Sequence, residues 1–515
     1  MRTQNSIKNI SMSILTQIVI TLLGFISRRV FLDNLGTDYL GVNGLLTNVL
    51  SMLSLVEGGI GTSIIYNLYR PLAEDDKEKV IALVQLYKKI YGILAILIFI
   101  LSSCLYPFLD IFMKGNTNIP YLWLVYYIFV IKNVISYLNA HKWSLINADQ
   151  KGYILIKYNL IFNIITTVSK ILVLIITKNY ILYLIIELAI FAIQNIWNGR
   201  VVNNKYPYIN TIKKFKIDTS TKDNLITNVK AIFLHNIGSY CVFGTDNLLI
   251  SSLISVKTVG LYSNYTMIIS QLSSLLTPIL NGIGASVGNL IAVENSEKKY
   301  EIFNITYLIN FWIYSVCTIT LYNLVEPFIN WAFGENLLLD RFSLIVILVN
   351  FYLTGLRTTV NIFKSKAGIF APDKYVPLIE ATINLVSSLI LVNYFGLAGI
   401  FLGTTISTIS IPIWTQSKLV YNKIFEKSVS EYFKKYFIYI GLTLISGFLV
   451  TTICGLINVG NDFISIVLKG MVCVGLTSVF YCVLFFKTRE FKYLLTIVQS
   501  ITKNVNVALI DKKGV

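Results

Sequence analysis

Apolar stretches about as long as a bilayer is thick follow one another from end to end of the chain, separated by short polar breaks. About 20 helical residues cross a ~30 Å hydrocarbon layer. Fourteen such runs are read, near residues 10–31, 40–69, 88–109, 119–139, 154–176, 180–199, 226–254, 259–290, 302–325, 341–365, 375–394, 397–419, 433–457 and 462–486. The pattern predicts an all-α polytopic membrane protein of about fourteen transmembrane helices. The first run is too long for a cleavable signal peptide and lacks a small-residue cleavage site, so it is expected to remain as a helix.

Polar residues inside several runs keep to one stripe at about 100° per residue. Run 1 aligns Ser13, Gln17, Gly24 and Arg28, and run 4 carries Lys132, Ser136 and Asn139. Run 5 aligns Asn159, Asn163, Thr166 and Lys170; run 7 aligns Asn228, His235, Ser239 and Asp246; run 10 aligns Asn350, Thr354, Arg357, Asn361 and Ser365. Ionisable groups cost several kcal/mol in hydrocarbon unless they meet protein or water. The stripes therefore read as the walls of a wetted cleft.

Two glycine motifs point to a duplication. Gly58-Gly59-Ile60-Gly61-Thr62-Ser63-Ile64 returns as Asn281-Gly282-Ile283-Gly284-Ala285-Ser286-Val287, with Gly59 and Gly282 223 residues apart. Asp149-Gln150-Lys151 and Asp373-Lys374 are 224 apart at the Asp, and the Asn163–Thr167 and Asn384–Ser388 stretches are 221 apart. This nearly constant offset makes runs 1–6 and 7–12 two copies. Six helices per copy is an even number, so the copies enter the membrane from the same side, as parallel repeats. The division predicted is 1–205 for the first six-helix lobe, 206–425 for the second, and 426–515 for two extra helices and a tail. Glycines of this kind also let helices pack closely. The copies differ at Glu57, which the offset sets opposite Leu280.

Composition agrees with the membrane reading. Apolar residues make up 55% and charged residues 13% of 515, too few polar groups to cover a soluble protein of this size. The net charge of +17 is explained by its placement. With both termini in the cytoplasm, 33 of the 43 Lys and Arg fall in the tails and cytoplasmic loops. Six (Arg28, Arg29, Lys114, Lys178, Lys257, Arg341) fall on the opposite side, and four (Lys132, Lys170, Arg357, Lys469) lie inside helices. This is the positive-inside asymmetry, facing anionic inner-leaflet lipid rather than nucleic acid. The six cysteines lie in apolar runs with no zinc-ligand spacing, so no metal or other cofactor is expected. No phosphate-loop motif occurs, which argues against direct ATP coupling.

Leu35-Gly36, Tyr39-Leu40-Gly41-Val42-Asn43-Gly44, Glu57-Gly58-Gly59-Ile60-Gly61 and Leu68-Tyr69-Arg70-Pro71-Leu72-Ala73-Glu74 resemble the polysaccharide-unit (Wzx-type) flippases of the multidrug/oligosaccharidyl-lipid/polysaccharide exporter superfamily. So does Asn384 to Gly403, with Phe395-Gly396-Leu397-Ala398-Gly399-Ile400. The resemblance implies two six-helix lobes plus two C-terminal helices in the bacterial plasma membrane, moving a polyprenyl-diphosphate-linked oligosaccharide. It also implies working partners among glycosyltransferases and a polysaccharide polymerase.

Candidate site residues follow from the stripes. Lys132 and Arg357, 225 residues apart, occupy nearly equivalent points of the fourth helix in each copy. A diphosphate needs charge-assisted donors, and Arg offers a planar fork where Lys offers a point charge. Arg28, Arg29, Lys132, Lys170 and Arg357 are therefore the expected substrate cations. The alternative for each is pairing with Glu57, Glu187, Asp246 or Glu380, or snorkelling of Arg28 and Arg29 at a helix end. Glu57, Asp246 and Glu380 are the expected ion-coupling carboxylates, with cation pairing as their alternative. His235 reads as a hydrogen-bonded core residue. No catalytic residue is assigned. A multidrug exporter would favour an acidic cleft, and a membrane polymerase would need a sizeable outer loop; the cation-rich stripes and short loops speak against both.

Overall fold

A computed structural model of the chain describes residues 2–53, 57, 60–113, 119–149, 151–215, 217, 244–369, 371–373, 375–457 and 460–495. The described residues form helices, turns and short 3₁₀ or π segments, and no strand is found among them. Among the described residues seventeen α-helices follow in order: α1 (Arg2–Leu35), α2 (Thr37–Leu53), α3 (Ile60–Ala73), α4 (Lys77–Leu105), α5 (Leu122–Leu138), α6 (Ala140–Ala148), α7 (Tyr153–Thr177), α8 (Tyr180–Lys205), α9 (Asp246–Leu253), α10 (Val256–Val293), α11 (Ser296–Phe333), α12 (Arg341–Lys366), α13 (Val376–Phe395), α14 (Leu397–Ser410), α15 (Pro412–Val420), α16 (Ser430–Leu456) and α17 (Asp462–Phe485).

Ten helical spans among the described residues are long and apolar enough to cross a membrane, or eleven if α5 and α6, bent by 45°, make one span. These eleven match eleven of the fourteen predicted runs. The run at 40–69 is carried by α2 and α3, which are 17 and 14 residues long. The run at 259–290 lies inside the 38-residue α10. The run at 226–254 is described only from residue 244, and Asn228, His235, Ser239 and Cys241 lie outside the described residues. Gly58, Gly59 and Lys114 also lie outside them.

Local chemistry sets the breaks. Gly36 adopts φ +81°, donating its N–H to Leu32 O (3.0 Å), and Gly396 adopts φ +55°, donating to Val392 O (2.9 Å). A residue without a Cβ takes this left-handed helix-ending conformation at little cost. Asp76, Asn179, Asp340 and Asn461 cap the helices that follow them by accepting a backbone N–H. Pro412 starts α15, where its missing N–H is not needed.

Contacts divide the chain into two compact units. The first comprises Met1–Pro278 with Ala332–Leu337 and Val392–Ile400; the second comprises Ile279–Trp331, Leu338–Leu391 and Phe401–Val515. The first unit is built on a buried aliphatic and tyrosine core that includes Ile64, Leu68, Leu83, Tyr87, Ile98, Leu145 and Val202. In the second, Phe303, Phe363, Tyr421 and Phe425 pack with ring centroids 5.1–5.8 Å apart. Edge-on and tilted aromatic pairs of this kind add about 0.5–1.5 kcal/mol each beyond area burial. Hydroxyls fasten α16 and α17 into that unit. Tyr352 Oη and Thr443 Oγ1 are 2.8 Å apart, Thr443 donates to Ser315 Oγ (2.9 Å), and Tyr481 Oη meets Ser315 (2.5 Å) and Ser446 (2.9 Å).

Candidate functional site

The stripe read on the first run faces α10. Gln17 Nε2 and Thr21 Oγ1 both donate to Gln271 Oε1, at 2.5 and 2.8 Å. One turn on, a Cβ on Gly24 would sit 3.0 Å from Met267 Cε. Arg28 follows, donating Nη1–H to Ser263 Oγ (3.0 Å) and Nε–H to Met267 Sδ (3.3 Å). Residues 263, 267 and 271 recur every four positions, so one face of α10 meets one face of α1. This partner stripe was not recognised in the sequence, because a methionine interrupts its polar pattern.

Arg28 opens onto a cavity of about 620 Å³ in the first unit, lined also by Asn43, Thr47, Asn48, Asp246 and Tyr262. The cavity brings together one cation and one carboxylate from the sequence-derived set. They are not an ion pair: the hydrogen-bond partners of Arg28 are the neutral Ser263 and Met267, and Tyr262 hydrogen-bonds Asp246. Asp246 Oδ1 and Asn247 Oδ1 are buried without a hydrogen-bond partner among the described residues. A guanidinium whose charge is not matched by a carboxylate retains capacity for an anion. A carboxylate oxygen with no donor retains capacity for a proton or a small cation.

Lys132 and Lys170 share one carboxylate. Both ammonium groups bind Glu187, one on each oxygen, and all three side chains are partly buried. Lys170 also lies over the Tyr183 ring, 4.3 Å from its centroid, and Lys132 lies 5.7 Å from the Phe191 centroid. The triad keeps a net positive charge, since one carboxylate cannot neutralise two ammonium groups. Of the rest of the run-5 stripe, Asn159 meets the same neighbour, its Oδ1 accepting from Gln194 (2.8 Å) and Asn198 (2.7 Å) of α8, whereas Asn163 and Thr166 donate to carbonyls of their own helix (3.0 and 2.8 Å).

Arg29 pairs with Asp33 at 2.8 Å, with both side chains about half exposed. Glu57 Oε1 accepts from Tyr91 Oη at 3.0 Å and also lies 3.0 Å from where a Cβ on Gly61 would stand. Arg357 pairs with Glu380 at 2.9 Å, the two side chains being 11% and 6% exposed, so this second-unit pair is the more deeply buried. Arg28 and Asp246 share a cavity, and Lys132 and Lys170 share a carboxylate. The duplicated aspartates each hold a lysine, though not an equivalent one: Asp149 takes Lys151 (2.6 Å) and the Tyr206 hydroxyl (2.6 Å), whereas buried Asp373 takes Lys364. Burial and the Asp149 carboxylate together push the Tyr206 phenol well above its ordinary value.

No group of three or more His, Cys, Asp or Glu at metal-binding distance is found among the described residues. No protein-family model and no curated protein matches the chain. Solved structures do match its fold. The lipid II flippase MurJ in an inward closed conformation aligns with a TM-score of 0.63 at 13% identity, covering 92% of this chain and 98% of its own. An inward-facing multidrug resistance MATE family transporter of the MOP superfamily aligns at 0.60 and 13%, covering 79% and 98%. The Vibrio cholerae MATE transporter VcmN aligns at 0.58 and 11%, covering 83% and 99%. The chain thus has the all-α membrane fold seen in these transporters.

Proposed function

We propose that the chain is a secondary transporter that flips polyprenyl-diphosphate-linked oligosaccharide units from the inner to the outer leaflet of the bacterial plasma membrane, for surface polysaccharide synthesis. The observation that carries this reading is Arg28, a cation facing a polar cavity whose hydrogen-bond partners among the described residues are neutral. A diphosphate would supply the missing anion through charge-assisted hydrogen bonds to the guanidinium fork. The Lys132–Glu187–Lys170 triad would add a net positive charge in the same unit, and Arg29 and Arg357 complete the proposed substrate cations. Asp246, in the cavity with an unpartnered oxygen, is the best placed of the proposed ion-coupling carboxylates; Glu57 and Glu380 are the others. The fold likeness to a structure described as a lipid II flippase supports this class of substrate. In this reading both termini are cytoplasmic, the lobes are 1–205 and 206–425, and 426–515 adds two helices and a tail. Glycosyltransferases and a polymerase would supply and consume the cargo.

The test is loss of function in a cell that makes the polysaccharide. Deletion should leave lipid-linked units on the inner leaflet with drug susceptibility unchanged. Arg28→Ala should reproduce that phenotype with the protein inserted at normal levels, and Arg28→Lys should restore only part of the flux, since the charge survives without the fork. One observation favours a second reading, export of cationic drugs: Asp246 shares the cavity, and MATE transporters share the fold. Drug sensitivity of the deletion strain with normal surface polysaccharide would decide for it.

A further inference from the structure

A different cavity of the first unit, about 400 Å³, lies between α4, the start of α6 and the segment that follows α8. Lys88, His141 and Lys142 line it together with Gln85, Asn203 and Asn210. No carboxylate is found among the described residues that line it. The charge of Lys88 acts on both His141 and Lys142, and that of Lys142 acts on His141. Neither ammonium group has a hydrogen-bonded or ion-paired partner among the described residues, unlike those of Lys132, Lys170, Lys364 and Lys435, each of which meets a carboxylate. His141 is 3% exposed, and its Nδ1 has no hydrogen-bond partner among the described residues. Buried polar atoms are nearly always satisfied in folded proteins, so this nitrogen beside two cations leaves capacity for a further polar partner.

The surrounding chain fixes both the chemistry and the level of the site. Gln85 Nε2 donates to Lys213 O at 2.8 Å, tying the segment after α8 across α4. Asn203 stands at the end of the apolar span Tyr180–Lys205, where a membrane-crossing helix leaves the hydrocarbon. Two ammonium groups with three N–H donors each, supplemented by side-chain amides, suit an acceptor whose oxygens point in several directions. A tetrahedral phosphoryl group has that shape, and 400 Å³ accommodates either a free phosphate or a phosphodiester headgroup.

We propose that this cavity binds a phosphoryl anion through Lys88 and Lys142, at a site separate from the Arg28 cavity. Its source is either an anionic phospholipid headgroup or a soluble phosphate.

The full-length protein, delipidated in detergent, is tested in two arms against the Lys88→Gln/Lys142→Gln variant. In the lipid arm, native mass spectrometry is run with phosphatidylglycerol and with zwitterionic phosphatidylcholine. In the soluble arm, the thermal midpoint is followed against inorganic phosphate. The wild type should bind at least one probe about tenfold more tightly than the variant. A phosphatidylglycerol adduct lost in the variant identifies the headgroup; a phosphate-dependent rise in midpoint lost in the variant identifies the soluble anion. Wild type and variant behaving alike in both arms would overturn the proposal. Should the double variant fail to accumulate, Lys88→Gln alone carries the same comparison, because that side chain is exposed and its loss leaves the core untouched.

Discussion

Gly41 of α2 and Gly260 of α10 meet the opposing helix reciprocally. A Cβ on Gly41 would stand 2.1 Å from Val256 O, and a Cβ on Gly260 would stand 2.3 Å from Thr37 O and 3.2 Å from Gly41 N. Backbone faces backbone at this crossing, so no rotamer change can make room for a methyl group. Gly41 belongs to the Tyr39–Gly44 motif noted in the sequence, and its neighbour Asn43 lines the Arg28 cavity and accepts from Tyr180 Oη at 3.0 Å. The same helix pair thus provides both the close contact and part of the cavity wall.

Gly41→Ala and Gly260→Ala should each lower the thermal midpoint of the purified protein, by an amount equivalent to about 1–3 kcal/mol of overpacking. The double variant should cost clearly less than the two single effects added, because once the helices have separated the second methyl group meets an opened gap. Strict additivity would show that the two glycines do not share one crossing.

The Glu187 triad makes an asymmetric prediction. Glu187→Gln leaves two partly buried ammonium groups facing a neutral amide, whereas Lys132→Met leaves the Lys170–Glu187 pair intact. Breaking a buried ion pair from one side costs about 3–5 kcal/mol, and the Lys132 side chain is the most exposed of the three. Membrane abundance and thermal midpoint should therefore fall steeply for Glu187→Gln and mildly for Lys132→Met. Equal effects would mean that Lys132 is held as firmly as Lys170.

Much of this was legible from spacing alone. The runs located eleven described spans, and the 100° stripes correctly grouped Gln17, Gly24 and Arg28 on one face and Asn159 with Lys170 on another. Two kinds of feature were not legible. One depends on three helices converging: Glu187 was recognisable as a possible partner, but nothing in one dimension shows it shared by lysines 55 and 17 residues away. The other depends on where a continuous apolar run breaks. Asn139 separates α5 from α6 by a 45° bend without proline or glycine, so composition gave no warning. The cationic pocket at Lys88 and Lys142 escaped for a related reason. Each lysine, read singly, is one more positive-inside charge, and only the fold sets them around a buried histidine.

Outside the spans, Glu490 gives a pH dependence with a definite sign. Burial works to raise its carboxyl, yet its own backbone hydrogen bond and the Lys435 ammonium, 3.0 Å away, together hold it below the ordinary glutamate range. A carboxyl lowered in the folded state contributes stability that is complete above the unfolded value, about 4.3, and is lost as the pH falls through the folded value. Glu490→Gln should therefore reduce stability at pH 7 and make no difference once the wild-type carboxyl is protonated. Thermal midpoints of the two proteins should converge as the pH falls below the ordinary glutamate range. Curves that stay parallel would mean that the Lys435 contact carries no linkage.

Arg357 and Glu380 separate a structural role from a transport role in the second unit. Their 2.9 Å pair is the more deeply buried of the site pairs, and each side chain has lost most of its water. If pairing is the main role, Arg357→Ala should strand a buried carboxylate and lower membrane abundance, and adding Glu380→Ala should recover much of it, because removing both charges costs less than removing one. If the guanidinium instead meets substrate during transport, the double variant should accumulate normally and still fail to export polysaccharide. Arg357→Lys should then export at a reduced rate, since a point charge replaces the fork. Abundance by immunoblot and surface polysaccharide by cell labelling distinguish these outcomes in one strain set. A normally abundant Arg357→Ala protein with normal export would exclude both roles.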